Sequence, residues 1–264
     1  MLQTKRLRVL ITSIMVITVI AFGISVNHAE SKTLKVGYAV SILAHEWYQV
    51  VSRSAAMRAK ELNVQLMLAD ANLDAMKQFK ACENFINQQV DFLVISPVDP
   101  NVLVPIVKKA NSAGIPVISE ANVVKGAVTY IGIDNKKAGI KVGKWFGEYA
   151  KANNINPNIL IIGQPWLPDC VWRVDGFKEG LQEVGCKYKI VNEVDGYGLK
   201  EKSFTVASPI LEAHPEINVI FGINDNSALG AMAAYEAIGL DPSKLTVIGV
   251  GLEGIAGRSA LAEG

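Results

Sequence analysis

Short apolar runs alternate with segments of helical periodicity along most of the chain. The clearest case begins with Ile217–Phe221, a β-branched run that is followed closely by small polar residues. Such a run is typical of a buried strand in a parallel sheet. From Ser227 the apolar residues recur at helical spacing, and Gly239 is a typical helix stop. The segment predicts a strand and then a helix, with Asn224 at the junction where the strand ends.

The same alternation predicts strands and helices along the rest of the chain. The other predicted strands are Leu34–Val40, Val64–Ala69, Phe92–Ser96, Ile115–Ile118, Val128–Ile133, Asn158–Ile162, Tyr188–Glu193 and Leu245–Val250. The other predicted helices are Glu46–Leu62, Asp74–Gln89, Asn101–Ala113, Lys136–Asn153, Trp172–Val184, Lys200–Ala213 and Ile255–Glu263. Asp99 is the expected cap of the third predicted helix, and Pro100 its first residue. Strands that alternate with helices predict an α/β fold with parallel, doubly wound sheets.

The alternation restarts near Asp134, which with Asn135 is a typical cap for the next helix. The units before and after this point are similar in size. We therefore predict two Rossmann-like lobes, an amino-terminal lobe at 31–134 and a carboxy-terminal lobe at 135–264. A cleft between two such lobes is a common place for a ligand site.

The first 29 residues have the layout of a secretory signal peptide. Basic residues precede the apolar stretch Val9–Val26, and the small Ala29 follows it as a cleavage point. The stretch is also long enough to be an uncleaved anchor, which would tether the protein to the membrane. Both alternatives place residues 31–264 outside the cytoplasm, in the periplasm.

Charge and cysteine content exclude several classes of protein. The chain has 26 basic and 25 acidic residues and a net charge of +1, which gives no electrostatic case for a nucleic-acid partner. The three cysteines, Cys82, Cys170 and Cys186, permit at most one internal disulfide and match no zinc pattern. We expect them to be packing residues, and we expect no metal site.

Residues that suit ligand contact lie just beyond the predicted carboxyl ends of strands, the edge where open α/β sheets bind ligands. The candidates are His45, Trp47, Tyr48, Ser96, Glu120, Asn122, Trp166, Arg173, Tyr197 and Asn224. Aromatic rings can cover the C–H faces of a polyhydroxylated ligand, while amide, carboxylate and guanidinium groups bind its hydroxyls in pairs. The set predicts a site for a hydroxyl-rich small molecule.

Several candidates also have a purely structural interpretation. Trp47 and Tyr48 could pack at a helix start, and His45 could cap that helix or lie on the surface. Arg173 could pair with Asp175, although a rigid guanidinium fork suits paired hydroxyls better.

Asn224 is the strongest candidate of the set because of its place at a strand end. Its neighbours Asp225 and Asn226 are the expected helix caps.

Motifs for enzymatic chemistry are weak. Gly249–Gly254 fits the spacing G-x-G-x-x-G, but it follows the last predicted strand instead of opening a βαβ unit. Asp70–Asp74 resembles the start of a calcium loop, yet Ala75 and Ala81 replace its required Gly and Glu. No Ser or Cys lies in a nucleophile elbow. We therefore predict a protein that is not an enzyme and needs no cofactor.

After the leader, the chain resembles the periplasmic sugar-binding proteins of ABC importers, of the ribose-binding type. This family has the type I periplasmic binding protein fold. The segments that carry the resemblance are Val36–Val40 with Trp47–Tyr48, Val94–Pro97, Gly114–Ile118, Gly132–Asn135, Arg173–Phe177, Phe221–Asp225 and Ala228–Ala231. The resemblance implies a sugar or polyol bound between the lobes and a membrane permease as partner.

By this resemblance, Trp47 and Tyr48 stack on the sugar and His45 makes a polar contact. Arg173 and Asn224 match the family's sugar-binding arginine region and strand-end asparagine.

Two other positions match the family less closely. Ser96 occupies a position that is Asn in ribose binders, and Tyr197 loosely matches an aromatic residue of the second lobe.

The chain departs from the ribose-binding pattern at two charged positions. Ribose-type members have Asp-Arg after the fourth strand, whereas this chain has Ala121 and Asn122 there, with Glu120 one position earlier. The family's acidic residue after the last predicted strand is replaced by Gly251. These departures argue against ribose and favour another sugar, a polyol or a sugar derivative.

The family's fold also continues with further strands, another crossing between the lobes and a closing helix. We therefore expect the carboxy-terminal lobe at 135–264 to be incomplete, and residues 30–264 alone to fold poorly because apolar surface is exposed. A monodisperse sample of this segment that melts cooperatively would contradict that expectation.

We predict an exported, monomeric solute-binding protein that delivers a sugar or polyol to an ABC importer. The alternative is a periplasmic sensor of the same fold that signals ligand state to a membrane histidine kinase or chemoreceptor. A repressor core is disfavoured by the export segment, and a nucleotide-dependent enzyme rests only on the weak glycine motif.

Overall fold

The computed structural model describes residues 32–252 and 254–263, so the predicted signal segment at 1–29 lies outside the described residues. The strands are β1 Lys35–Val40, β2 Gln65–Asp70, β3 Phe92–Ile95, β4 Val117–Glu120, β5 Thr129–Ile131, β6 Asn158–Gly163, β7 Lys189–Asp195, β8 Val219–Gly222 and β9 Thr246–Ile248. The helices are α1 Glu46–Glu61, α2 Ala75–Asn87, α3 Val104–Ser112, α4 Asn135–Ala152, α5 Pro168–Glu183, α6 Lys200–Ala213, α7 Asp225–Ala237 and α8 Ile255–Glu263, with a 3₁₀ turn at Pro242–Lys244.

The strands form two parallel sheets. The first has the order β2-β1-β3-β4-β5, and the second has the order β7-β6-β8-β9. Every strand pair within the described residues is parallel, which confirms the predicted α/β fold. Most strands that follow one another in the chain are joined through a helix, as is usual for parallel pairing, whereas β4 and β5 are joined by the loop at 121–128. All carboxyl ends within one sheet therefore lie at the same edge.

Helices pack over a core on the first sheet and over two cores, one on each face, of the second. In the first sheet, Leu93 and Ile95 of β3 belong to a core cluster that also contains Phe85 of α2 and Ile106 of α3. In the second sheet, alternate residues of β6 point into two separate clusters, Ile159 and Ile161 into one and Leu160 and Ile162 into the other. Burial on both faces explains why β6 is apolar throughout.

Helices α4 and α5 touch through their backbones at glycines. A methyl group on Gly143 would overlap the carbonyl oxygen of Phe177 and lie 3.0 Å from the backbone nitrogen of Leu181. Gly180 faces the backbone of Ile140 in the same way. Because no side chain separates the two backbones, the start of α4 packs directly against the early turns of α5, where the candidate Arg173 lies.

The predicted boundaries agree within two residues for every strand, but three helices begin elsewhere. Helix α3 begins at Val104 instead of Asn101, because the carboxylate of Asp99 accepts the N–H groups of residues 101 and 102 in a separate turn. Helix α5 begins at Pro168, four residues before the predicted Trp172. A proline at the first helical position is a known start signal that the apolar periodicity concealed.

Helix α7 begins at Asp225, with Asn224 as its cap. The prediction that Asp225 and Asn226 cap this helix is therefore wrong, because both already lie within it.

The cysteines and the helices add two observations on the described part of the chain. Cys82, Cys170 and Cys186 are buried, and no disulfide joins any two of the three. Between residues 32 and 263, no helix combines the length and the apolar character that a membrane crossing needs.

Candidate functional site

A cavity of about 390 Å³ lies where the carboxyl edges of the two sheets face each other. This volume falls within the range of roughly 300–1,000 Å³ that is typical of small-molecule sites. The candidate residues that line it are His45, Trp47, Tyr48, Glu120, Trp166, Arg173, Tyr197 and Asn224. The wall also includes three residues that the sequence analysis did not propose as ligand contacts, Asn135, Gln164 and Asp169.

The amino-terminal end of α1 forms one aromatic wall. His45 caps the helix, and its Nδ1 accepts the backbone N–H of Trp47 at 3.1 Å. The rings of His45 and Tyr48 meet edge to face with centroids 5.9 Å apart. Trp47 remains 39% exposed beside the cavity. His45 is therefore both a helix cap and a lining residue, so the two alternatives for it are not exclusive.

Ser96 lies behind the cavity wall and does not line the cavity. It is fully buried, its hydroxyl donates to the carboxylate of Glu120, and it lies 3.1 Å from the hydroxyl of Tyr38. Burial raises the pKa of Glu120, and the charge of Asp169 adds to this rise. Hydrogen bonds from Ser96, Trp47 and Tyr38 oppose it. Ser96 therefore orients the Glu120 carboxylate and makes no wall contact of its own.

Arg173 is held in place by the second lobe. Its Nε and Nη2 donate to Oδ1 of Asn135 at 3.0 and 2.6 Å, and its Nη1 donates to the carbonyl oxygen of Ile223. These bonds, rather than a pair with Asp175, fix the guanidinium. The sequence pattern predicts only a capping role for Asn135, but the cap is Asp134, and Asn135 is 3% exposed inside the first turn of α4.

Asn224 connects three segments at the end of β8. Its Oδ1 accepts the N–H of Ser227 at 2.8 Å and caps α7, while its Nδ2 donates to the carbonyl of Gly198 at 3.2 Å. The same Nδ2 lies 2.8 Å from Nε2 of His45, which caps α1 after β1 of the opposite sheet. The strand-end asparagine therefore bridges the cavity, and its amide is already engaged by protein groups.

Asn122 also crosses between the two halves of the molecule, although it does not line the cavity. Its Nδ2 donates to Oδ1 of Asp169 at 3.0 Å, and its Oδ1 accepts the N–H of Asp169 at 3.1 Å. Asn122 and Asp169 are 2% and 8% exposed, so the pair is shielded from solvent. Asp169 lies in the first turn of α5, where the helix dipole favours a carboxylate. Pro168 at the first helical position was the signal that could have identified it.

A second aromatic wall is built around Asp195 at the end of β7. The indole N–H of Trp166 donates to Oδ2 of Asp195 at 2.9 Å, and the backbone N–H of Tyr197 donates to Oδ1 at 2.8 Å. The rings of Trp166 and Tyr197 have centroids 6.3 Å apart. Tyr197 has a φ of 55°, a left-handed conformation that the Asp195 turn stabilises.

The described residues contain no cluster of three or more metal-ligating side chains. The cavity therefore offers aromatic faces, amides, two carboxyl groups and one guanidinium, which is chemistry for binding a polar organic molecule.

The capping role of His45 predicts a pH-dependent loss of stability. Burial lowers its pKa from the ordinary 6.5 to about 4; the charge of Asp225 opposes this and that of Arg173 adds to it. A protonated Nδ1 can no longer accept the N–H of Trp47. As the pH falls from 6.5 towards 4, the unfolded chain therefore takes up a proton that the folded protein excludes. His45 should reduce the free energy of unfolding over this window by up to about 3 kcal/mol.

The measurement is urea unfolding between about pH 7 and pH 4, compared with His45→Asn, which keeps a capping group but does not titrate. Glu120 and the other titrating groups are the same in both proteins, so the difference between their two pH profiles is due to His45. Equal pH dependence of the two proteins would contradict the prediction.

Two facing parallel sheets with a polar and aromatic cavity between their carboxyl edges define a two-lobed binding protein. The model of the periplasmic binding protein domain matches residues 36–264. The chain belongs to this family. Its members are binding proteins, and membership implies a location in the periplasm. The predicted signal peptide and tether stay predictions.

Three similar proteins illustrate the family. The D-ribose/D-allose-binding protein of Pseudomonas aeruginosa is 32% identical over 230 residues, which cover 82% of this chain and 70% of that protein. An ABC transporter solute-binding protein of Burkholderia multivorans has a TM-score of 0.79 at 26% identity, with coverage of 88% and 84% of the two chains. The Caulobacter myo-inositol-binding protein, solved with myo-inositol, has a TM-score of 0.75 at 26% identity, with coverage of 83% and 75%.

Proposed function

We propose that the protein binds a sugar or polyol in the periplasm and delivers it to an ABC importer. The observation that carries this proposal is the convergence of aromatic and hydrogen-bonding side chains from both sheets on one cavity. The names of its relatives support the ligand class, since they include a ribose and allose binder and a myo-inositol binder.

We propose that two lobes, residues 31–134 and 135–264, each contribute contacts to the ligand. In this proposal, Trp47 and Tyr48 cover one face of the ligand from the first lobe, and Trp166 and Tyr197 cover the other from the second. Aromatic faces suit the C–H surfaces of a sugar ring.

The polar groups give the site its specificity for hydroxyls. Arg173 is fixed by Asn135 and Ile223, so its remaining N–H donors are already oriented when the ligand arrives. Asn224 and His45 meet across the cavity, and their contacts with protein groups hold both in the cavity wall beside the ligand. A site whose donors are oriented in advance loses little conformational entropy on binding.

Closure of the lobes couples ligand binding to delivery. The hydrogen bonds of the Asn122–Asp169 pair join the two sides directly, and Asn224 lies against His45, so the closed form has contacts of its own besides those to the ligand. A ligand that contacts both sides adds to these and shifts the population towards the closed form. The permease would then recognise the closed form, in which the protein acts as a monomer.

Thermal-shift screening of the full chain against pentoses, hexoses and alditols tests this function, followed by calorimetric titration of each compound that responds. A ligand present at a hundred times its Kd stabilises the folded state by about 2.7 kcal/mol, which is readily detected. NAD serves as the negative control and should give no shift. A flat response to every sugar and polyol would overturn the proposed function.

A further inference from the structure

The carboxylate of Glu120 lies in the cavity wall among hydrogen-bond donors. It is 8% exposed at the end of β4 and accepts the hydroxyl of Ser96. The indole N–H of Trp47 and the hydroxyl of Tyr38 also act on this carboxyl, and both lower its pKa. An indole nitrogen can only donate a hydrogen bond, so it requires an acceptor oxygen on Glu120. Burial still raises the pKa of this carboxyl, and a cation bound in the cavity would favour its ionised form.

A buried carboxylate needs a cationic partner, and the described part of the protein does not provide one. None of the salt bridges among residues 32–252 and 254–263 involves Glu120. The charge that acts on it is that of Asp169, a second acid in the wall. The guanidinium of Arg173 is engaged by Asn135 and the carbonyl of Ile223. Buried charges in proteins are normally paired, so the missing partner is expected from the ligand.

The two acids make one side of the cavity electronegative. The pKa of Tyr48 is raised by burial first and then by the charge of Glu120. The pKa of Tyr130 is raised by burial, then by Asp169 and Glu120. Distinct tyrosines on α1 and β5 therefore experience the same negative field, which favours a cation at this side of the cavity.

We propose that the ligand is a sugar or polyol that carries an ammonium group, and that Glu120 binds this group with help from Asp169. The inference rests on the proposed function and names the class of its ligand. An ammonium would donate to the Glu120 carboxylate and to the Asp169 carboxylate oxygen that is not bonded to Asn122. The indole of Trp47, which also lines this wall, can add a cation–π contact. The hydroxyl groups of the same ligand would contact the other side of the cavity.

The test compares amines with their parent compounds by calorimetric titration of the full chain at neutral pH. The pairs are glucosamine with glucose, galactosamine with galactose, and an amino-alditol with its alditol. At least one amine should bind roughly ten- to a hundredfold more tightly than its parent, the range expected of a hydrogen bond to a charged group. Glu120→Gln should bring the ratio of the two dissociation constants close to one.

Glu148→Gln is the matched control, because Glu148 is exposed on α4 and does not line the cavity. It should keep the wild-type ratio. If parent sugars bind at least as tightly as their amines, the ammonium inference is overturned while the proposed function stands. If nothing in either set binds, both are overturned. If the preference for the amine persists in Glu120→Gln, Glu120 does not bind the ammonium group. If that variant fails to fold, the ratio of the two dissociation constants in the wild-type protein still decides the ligand class.

Discussion

Gly143→Ala should lower the free energy of unfolding by at least about 3 kcal/mol, because the added methyl group would overlap the backbone of the neighbouring helix. The methyl group meets the carbonyl oxygen of Phe177, which cannot move without shifting the whole of α5. In an exposed helix the same change would stabilise the protein by up to about 1 kcal/mol, so the sign of the effect is diagnostic. Urea unfolding of the full chain, followed by circular dichroism, measures the difference.

Gly163→Ala, at the end of β6, is the control for the added methyl group. Its methyl group would lie 3.7 Å from the carbonyl oxygen of Val194, an ordinary van der Waals distance. The change should alter the free energy of unfolding by no more than about 1 kcal/mol. Equal effects of the two substitutions would show that α4 and α5 are not in backbone contact.

Trp47→Ala should weaken ligand binding about a hundredfold, the effect of truncating a central aromatic anchor. Trp47 is 39% exposed, lines the cavity, and lowers the pKa of the Glu120 carboxyl beside it. Its removal therefore takes away an aromatic face and also releases a buried acid. The measurement is calorimetric titration with whichever compound gives the largest thermal shift.

Trp145→Ala separates this loss from a general effect of deleting an indole. Trp145 is 59% exposed on α4, stacks on Tyr149 and lies away from the cavity. Its removal should leave the Kd within about twofold, as expected of a surface position that does not touch the ligand. If Trp47→Ala also leaves the Kd unchanged, Trp47 does not contact the ligand and the aromatic wall has been wrongly assigned.

The sequence predicts the position of residues at strand ends better than it predicts their contacts. Residues that follow a strand directly, such as Trp166 and Asn224, could be predicted as neighbours because all carboxyl ends of a parallel sheet share one edge. Asn122 follows a strand too, but its side chain bonds to Asp169 instead of lining the cavity. Nothing in the local pattern at either residue indicates this partner, which lies 47 positions along the chain.

The glycines of α4 and α5 show the same limit. Within a sequence, a glycine in a helical pattern predicts only a weaker helix. In the folded protein Gly143 and Gly180 permit backbone contact between two helices. The role of each glycine therefore depends on the surface of the other helix, which its own local sequence does not describe.

The sequence by itself determined the α/β class, the order of strands and helices, and the edge at which polar and aromatic residues collect. Periodicity of two or of 3.6 residues is a local property, and it can be read without knowing any partner. Only the tertiary structure decided that Ser96 supports Glu120 from behind, that Asn135 holds Arg173, and that two buried acids face one cavity. These features depend on distances between residues far apart in the chain, which are set when the two sheets come to face each other.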